Sequence, residues 1–433
     1  MAKTYDYQLQ CQRCGNNIPS MGQWIDQGQS CSDCGERHVD VGYKDLARGL
    51  RSAIGTDEAG SSDGDAGLWR YRQLLPVAPG TSPVTFGEGG VPLERSEFLE
   101  AYAAKFGTGC RVYLHRHDLS LGTSTFKDLS ASMLATVLRD HGVRDFVAAT
   151  TGNFGVAVAK YLAEAGIRFW AFLPSSPPDS YEEAIRDCGQ RVIRHAGDYA
   201  AAQVAAEKLA TSRGYLMSLG GLDPMRIEAK KTMAFEWYRQ LGRLPTVYVQ
   251  ALSGGTGPIA ISKGIAELVE AFGVDRPRMY MIQSDGCAPM AMAWGDAKRT
   301  DFSPGWKQRY PVLENPNTEI TTLLTGNPKL FPKVGQAVHL SGGEILSVSE
   351  NLCGMIAGVM RLRSEIRIGP AASIAVNGFF NMIHRREVRE GDEVVIAIGD
   401  SDTHATSRWR QSVEQFLGYD RSTDLVAGLR RAA

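Results

Sequence analysis

The sequence lacks an excess of charge of either sign: 47 Lys and Arg stand against 48 Asp and Glu, for a formal net charge of -1. No basic field is available to gather nucleic acid or anionic lipid, so any anion site must be local. Nor is there an apolar run long enough to span a bilayer. The opening residues, Met1-Ala2-Lys3-Thr4-Tyr5-Asp6-Tyr7, lack the apolar stretch of a secretory signal. The chain is therefore expected in the cytosol, with its cysteines reduced. Internal repeats are absent as well. What is present is an ordinary globular composition, 43% hydrophobic and 22% charged over 433 residues, a length that favours at least two domains.

Four of the eight cysteines fall into two pairs, Cys11-x2-Cys14 and Cys31-x2-Cys34. This spacing suits a tetrathiolate zinc ribbon, in which each pair presents two thiolates from one knuckle. Gly15 and Gly35 follow the second cysteine of each pair, where a tight turn benefits from positive φ. The surrounding sequence holds too few large apolar residues to fold unaided, and Zn2+ would supply the missing stability. Two unmetallated cysteine pairs are the plain alternative. A nucleic-acid-binding ribbon is disfavoured because residues 1–48 mix basic and acidic side chains. All four ligand positions are filled by protein, so the metal is expected to be structural rather than catalytic.

The expected organisation is a ribbon over 1–48, a flexible linker over 49–67 and a catalytic body over 68–433 with a smaller subdomain at about 125–225. The linker rests on the Gly/Ser/Asp run from Gly55 to Gly67. Beyond it, strands are expected over 111–114, 146–149, 169–173, 190–194, 247–251, 279–284 and 393–398. Helices are expected over 126–141, 155–165, 181–188, 199–212, 226–241 and 258–272. This alternation predicts an α/β fold with parallel sheets. The stretch 293–338, rich in Pro, Asn, Thr and Lys, reads poorly and is a candidate substrate-covering insertion.

Three short motifs carry chemistry. In Thr123-Ser124-Thr125-Phe126-Lys127-Asp128, a lysine follows small hydroxyl residues that can ligate an anionic substrate. Such a lysine can form a Schiff base if it is desolvated and fixed. Alone, the same string also describes a helix start capped by Thr125. Thr150-Thr151-Gly152-Asn153-Phe154-Gly155 follows a strand and opens a helix, so its backbone N–H groups can bind an anion. Ser253-Gly254-Gly255-Thr256-Gly257 also follows a strand, and offers hydroxyls and closely approachable backbone to a phosphate without adding charge. Together, in this order, they point to an aldehyde cofactor bound through Lys127 with its phosphate on 253–257.

These motifs, with Gly87-Glu88-Gly89-Gly90-Val91-Pro92-Leu93 and Glu228-Ala229-Lys230-Lys231-Thr232-Met233-Ala234-Phe235-Glu236, resemble the tryptophan-synthase-beta superfamily of pyridoxal-phosphate enzymes. Within it, they are most similar to the threonine synthase and cysteate synthase group. The resemblance covers roughly residues 68–415 and implies a two-subdomain fold-type-II enzyme with an added N-terminal ribbon. It implies that Thr150, Thr151 and Gly152 hold the substrate carboxylate, with Thr123, Ser124 and Thr125 also near substrate, and that Asn153 meets the cofactor's phenolic oxygen. Ile398-Gly399 stands where threonine synthases place Thr-Gly. Asp400-Ser401-Asp402 is instead similar to the cystathionine beta-synthase turn, which gives Ser401 the pyridine nitrogen, with Asp400 as the other candidate. Leu222-Asp223-Pro224-Met225-Arg226 resembles N-P-x-R, a segment whose Asn helps hold substrate phosphate in that group. Asp223 there would repel a phosphate unless Arg226 or Lys231 offsets it. Asp223 is equally readable as the cap of the next helix, with Pro224 at its first position.

The expected reaction is pyridoxal-phosphate-dependent β-replacement or β-elimination on an activated amino acid, with O-phosphoserine and sulfite favoured. The alternatives are a threonine synthase acting on O-phosphohomoserine, and a binding or regulatory protein that keeps the fold without the chemistry. A homodimer is expected by analogy with relatives.

Overall fold

The computed structural model describes residues 6–55, 66–314 and 316–418. The chain divides into two units. One comprises Met1–Gly90, Ser120–Leu244 and Ile259–Asp275, and the other comprises Val91–Leu119, Pro245–Pro258 and Arg276–Ala433.

The first unit begins with a three-stranded antiparallel sheet in the order Asn17–Ile18, Tyr7–Cys11, Val39–Tyr43. Its strands alternate as a half-buried sheet requires: Tyr7, Leu9, Val39 and Val41 face inward while Gln8, Gln10 and Asp40 face out. The two cysteine knuckles match. Gly15 at φ 74° and Gly35 at φ 72° each turn back, their N–H groups donating to Cys11 O and Cys31 O.

The first residues of the linker expected over 49–67 are helical. Leu46–Ile54 is helical, capped by Asp45 on the Arg48 N–H at 3.2 Å, and Gly49 packs on Leu74. A side-chain cap and a small residue at the contact outweigh the polar composition downstream. Residues 56–65, the centre of the expected linker, lie outside the described residues.

A four-stranded parallel sheet follows, in the order Arg191–Arg194, Arg168–Leu173, Asp145–Ala149, Leu216–Met217. The helix Tyr199–Arg213 lays Ala202, Ala206 and Ala210 against Val147, Ala149 and Phe172, because an alanine face allows close approach.

The second unit holds a six-stranded sheet in the order Glu344–Val348, Arg278–Ser284, Val247–Ala251, Glu393–Ile398, Arg111–Arg116, Leu93–Arg95. Its edge strand Leu93–Arg95 is antiparallel and the remaining pairs are parallel. Val249, Ile282 and Ile396 share a core with Ile374 and Phe379 of the helix Pro370–His384. Every residue of Glu393–Ile398 is buried, as befits a parallel strand covered on both faces. The expected α/β fold with parallel sheets is what the structure shows.

The stretch 293–338 is anchored rather than loose. The helices Pro289–Arg299 and Phe331–Ser341 meet through a cluster of Trp294, Phe302, Trp306, Phe331 and His339, in which Trp306 lies edge-on to Trp294 and Phe331. No helix among the described residues is long and apolar enough to cross a membrane.

Candidate active site

Lys127 is the first residue of the helix Lys127–Asp140, and its backbone N–H donates to Thr125 Oγ1 at 3.1 Å. Its Nζ lies 3.6 Å from the centroid of the Phe126 ring. The loop before it is held by Asp128. That carboxylate accepts from Ser120 Oγ at 2.7 Å, from Thr123 N at 2.7 Å and from Thr123 Oγ1 at 2.6 Å. Burial pushes the Asp128 carboxyl up to about 6, against the effect of these donors. Two of the three hydroxyl residues expected near substrate therefore also build the loop: Thr123 is tied to Asp128 and Thr125 to Lys127. Ser124 sits between them in the left-handed region, at φ 56°.

The loop Thr150–Gly155 is organised from within. Thr150 is buried, and its Oγ1 accepts from Gly155 N at 2.9 Å and Gly152 N at 3.3 Å. Asn153, also buried, begins the helix Asn153–Glu164, and Thr151 is half-buried. Phe154 carries the Arg226 guanidinium stacked on its ring, 3.9 Å from the centroid.

Arg226 belongs to the helix Pro224–Leu241. Asp223 caps that helix, its Oδ1 accepting from Met225 N at 3.0 Å, and Pro224 occupies the first turn. Burial pushes the Asp223 carboxyl above the usual carboxylate range, Arg226 acting in the opposite sense. Of the two cations expected to offset it, Arg226 alone shares its surroundings. Lys231 turns elsewhere, to Glu228 at 2.6 Å and Glu267 at 2.9 Å. The residue that sequence reasoning passed over is Lys230, one turn beyond Arg226 and buried near Lys127. Its place four residues after Arg226 puts both on one face of a helix that is buried nearly all round, so the sequence pattern alone did not mark it.

In the second unit, the strand Val247–Ala251 leads into 253–257 and the helix Thr256–Phe272. Gly255 has φ 95°, and a Cβ there would lie 2.6 Å from Val334 Cγ2. The close approach demands glycine and leaves the backbone uncovered by a side chain. Ser253 Oγ pairs with Thr325 Oγ1 at 3.0 Å. Helix-start N–H groups, hydroxyls and glycines without an acid make this loop fit a phosphate. Ser401 Oγ lies 2.7 Å from Thr403 Oγ1, whereas Asp400 is buried and accepts from Ala372 N at 2.9 Å at the start of Pro370–His384. The rings of His115 and His117 lie 4.1 Å apart, tilted by 54°, and burial pushes His115 down to about 3, which favours its neutral form. Arg116 pairs with Asp118 at 2.8 Å and with Glu94, a structural arrangement.

In the ribbon, the sulfurs of Cys11, Cys14, Cys31 and Cys34 lie within 4.8 Å of one another. Cys11 and Cys34 are 3.6 Å apart, as are Cys14 and Cys31. Four converging thiols from two knuckles are compatible with a zinc ribbon.

The profile of the pyridoxal-phosphate dependent enzyme family matches residues 84–400. The chain belongs to this family. Among curated relatives, the threonine synthase of Methanosarcina acetivorans is 29% identical over 401 residues, covering 90% of each chain. The cysteate synthase of Methanothrix thermoacetophila is 25% identical over 376 residues, covering 84% of this chain and 86% of the relative. The fold is similar to that of the processed form of threonine deaminase isoform 2 from Solanum lycopersicum, with a TM-score of 0.61 at 16% identity over 76% of this chain and 84% of that one. Within this family, the relatives that the chain resembles are threonine synthases and a cysteate synthase. Its matched segment includes Lys127, both glycine loops and Asp400.

Proposed function

We propose that the chain catalyses β-replacement or β-elimination on a phosphorylated amino acid, with O-phosphoserine as substrate and a small nucleophile such as sulfite. One observation carries this reading: within a single unit, a lysine at a helix start accompanies an anion-binding loop whose Phe154 bears the Arg226 guanidinium. Reactive amine, carboxylate-binding loop and cation for an anionic substituent are then all supplied by one segment.

Pyridoxal phosphate, when bound, supplies the electron sink that makes the substrate's α-proton removable. Lys127 would hold the cofactor through its amine and would then take up and return the α-proton. Asn153 would donate to the cofactor's phenolic oxygen. Ser253, Gly254, Gly255, Thr256 and Gly257 would hold its phosphate through backbone N–H groups and two hydroxyls. Ser401 would meet the ring nitrogen, since Ile398 has no polar group and the Asp400 carboxylate is engaged with Ala372 N. Thr150, Thr151 and Gly152 would orient the substrate carboxylate, and Zn2+ on the four ribbon cysteines would stabilise that module.

A threonine synthase acting on O-phosphohomoserine is the second reading. It is favoured by the Methanosarcina relative's 90% coverage, and by the burial of Asp223, which weakens the charge that would repel a phosphate. Borohydride trapping followed by peptide mapping tests the cofactor assignment, with label expected on Lys127. Mass spectrometry of products then separates the substrates. Cysteate from O-phosphoserine and sulfite supports the first reading, and threonine from O-phosphohomoserine transfers the protein to the second. A chain that takes up no label and turns over neither substrate would be a binding protein.

A further inference from the structure

Two adjacent lysines on the helix Pro224–Leu241 have opposite surroundings. Lys231 is enclosed by two carboxylates, Glu228 at 2.6 Å and Glu267 at 2.9 Å. Lys230 is 1% exposed and, among the described residues, makes no hydrogen bond or ion pair. Its Nζ lies 5.5 Å from the centroid of the Phe126 ring, which the Lys127 amine also borders at 3.6 Å. A buried lysine that serves only packing is expected to carry a partner, as Lys231 does.

Arg226 is underused in the same way. It sits four residues before Lys230, hence on the same helix face. Its Nε is buried with no partner, and the one hydrogen bond found for its guanidinium is a long one, from Nη1 to Ser218 Oγ at 3.4 Å. Its guanidinium is laid on Phe154 of the anion-binding loop. The carboxylate closest in influence to both cations is Asp223, and it forms an ion pair with neither. Its Oδ1 is occupied by Met225 N and its Oδ2 has no partner. Among the described residues, a guanidinium laid on Phe154 and an amine beside Phe126 thus share one helix face with donors unspent and no carboxylate in hydrogen-bond contact. Burial disfavours protonation of both, and for Lys230 the charges of Arg226 and Lys127 add to that effect.

We propose that Lys230 and Arg226 form a two-cation subsite for a tetrahedral dianion, the phosphate carried by the substrate, with Lys230 selecting a doubly charged group over a carboxylate. The inference deepens the reading of the protein as an enzyme of phosphorylated amino acids. Two cations match two negative charges, whereas a carboxylate would leave one cation uncompensated in a buried place. The five donors of a guanidinium and the three of an ammonium suit the oxygens of a phosphate.

The test is equilibrium binding of inorganic phosphate to the cofactor-loaded enzyme by calorimetry, with acetate as the monoanion control. Wild type should bind phosphate; Lys230→Gln should weaken it by about thirtyfold or more, and Lys230→Arg should retain it. Acetate binding should change far less. Protection of the unmodified enzyme provides a second measurement that needs no variant. Acetylation of Lys230, read by mass spectrometry, should be suppressed by phosphate and not by acetate. Unaltered phosphate affinity in a folded, cofactor-loaded Lys230→Gln protein overturns the subsite, as does equal acetylation with and without phosphate. Because binding is read apart from turnover, the two ideas separate. Phosphate held by Lys230 in an enzyme inert towards both phosphorylated amino acids leaves the subsite standing and removes the substrate reading. Turnover of either, with phosphate binding indifferent to Lys230, does the reverse.

Discussion

The ammonium of Lys263 donates to the carbonyl oxygen of Val41 at 2.7 Å, tying the helix Thr256–Phe272 to the ribbon strand Val39–Tyr43. The same ammonium meets Asp40, and Glu228 at 2.7 Å. Glu228 in turn accepts from Tyr43 OH at 2.7 Å and pairs with Lys231. Charges that would be costly to bury singly are here shared between ribbon and body. The helix so tied begins at Thr256, in the loop assigned to the cofactor phosphate. The ribbon therefore braces a helix whose first residues lie in the loop proposed to hold the cofactor phosphate.

Replacing Lys263 with Met should expose how much this junction contributes. Glu228 would lose one of its two ammonium partners, and breaking a buried pair from one side costs about 3 kcal/mol or more. Urea unfolding of the full chain should report that loss. A change under about 0.5 kcal/mol, the range of ordinary surface substitutions, would mean that the ribbon merely rests against the body.

Metal analysis should find about one zinc per chain, the ratio that four thiolate ligands specify. Substituting Cys14 by Ser should abolish it, whereas substituting Cys188 should not, since Cys188 lies outside the thiol cluster. Loss of metal should appear as faster proteolysis within residues 1–48, because the small sheet has little apolar core of its own. Equal protease resistance with and without chelator would remove the metal from the account of ribbon stability.

Asp128 offers a test through pH. Burial pushes its carboxyl up to about 6, while an unfolded aspartate titrates at about 3.9. Between these values the folded protein keeps a proton that the unfolded chain releases. This group's stabilising contribution is thus fully present below about pH 4 and is lost as pH rises towards 6. Asp128→Asn should flatten that slope in thermal melts taken across the window. It should also disturb the loop before Lys127, since an amide replaces an oxygen that accepts from Ser120 and Thr123. Cofactor content should fall in the variant. An unchanged slope would place the titration elsewhere.

The central strands were legible because they are short runs of Val, Ile, Phe and Tyr, as in Val247–Ala251 and Glu393–Ile398, whereas Leu93–Arg95, Leu216–Met217 and Glu344–Val348 were not read. Helix starts were legible where a cap residue precedes them, as Asp223 precedes Pro224. The sequence reading did not extend to Pro289–Arg299, Phe331–Ser341 or Cys353–Ser364, whose order rests on tertiary contacts such as the packing of Trp306 on Phe331. The same limit hid Lys230. Lys230 and Lys231 are identical in type and adjacent, and about 100° of helical rotation separates a lysine closed in by carboxylates from one beside Lys127. Periodicity cannot choose between them on a helix buried nearly all round. The motif at Lys127 was read from residue types, while the commitment of Thr123 to Asp128 emerged only from distances.

Asp223 yields the last prediction, in which structure and substrate choice meet. Asn accepts from the Met225 N–H as well as Asp does, so Asp223→Asn should leave stability nearly unchanged, whereas Asp223→Ala should cost about 0.5–2 kcal/mol. The electrostatic consequence depends on pH. Burial raises the Asp223 pKa, so its negative charge is disfavoured at low pH and develops as pH rises through that raised value. Wild-type affinity for inorganic phosphate or a phosphorylated amino acid should therefore decline with rising pH more steeply than that of Asp223→Asn. Where the carboxylate is ionised, the difference should be on the order of 1 kcal/mol, a partly screened repulsion between like charges. Parallel pH profiles for the two proteins would show that Asp223 acts solely as a helix cap, and would remove the electrostatic argument against O-phosphohomoserine.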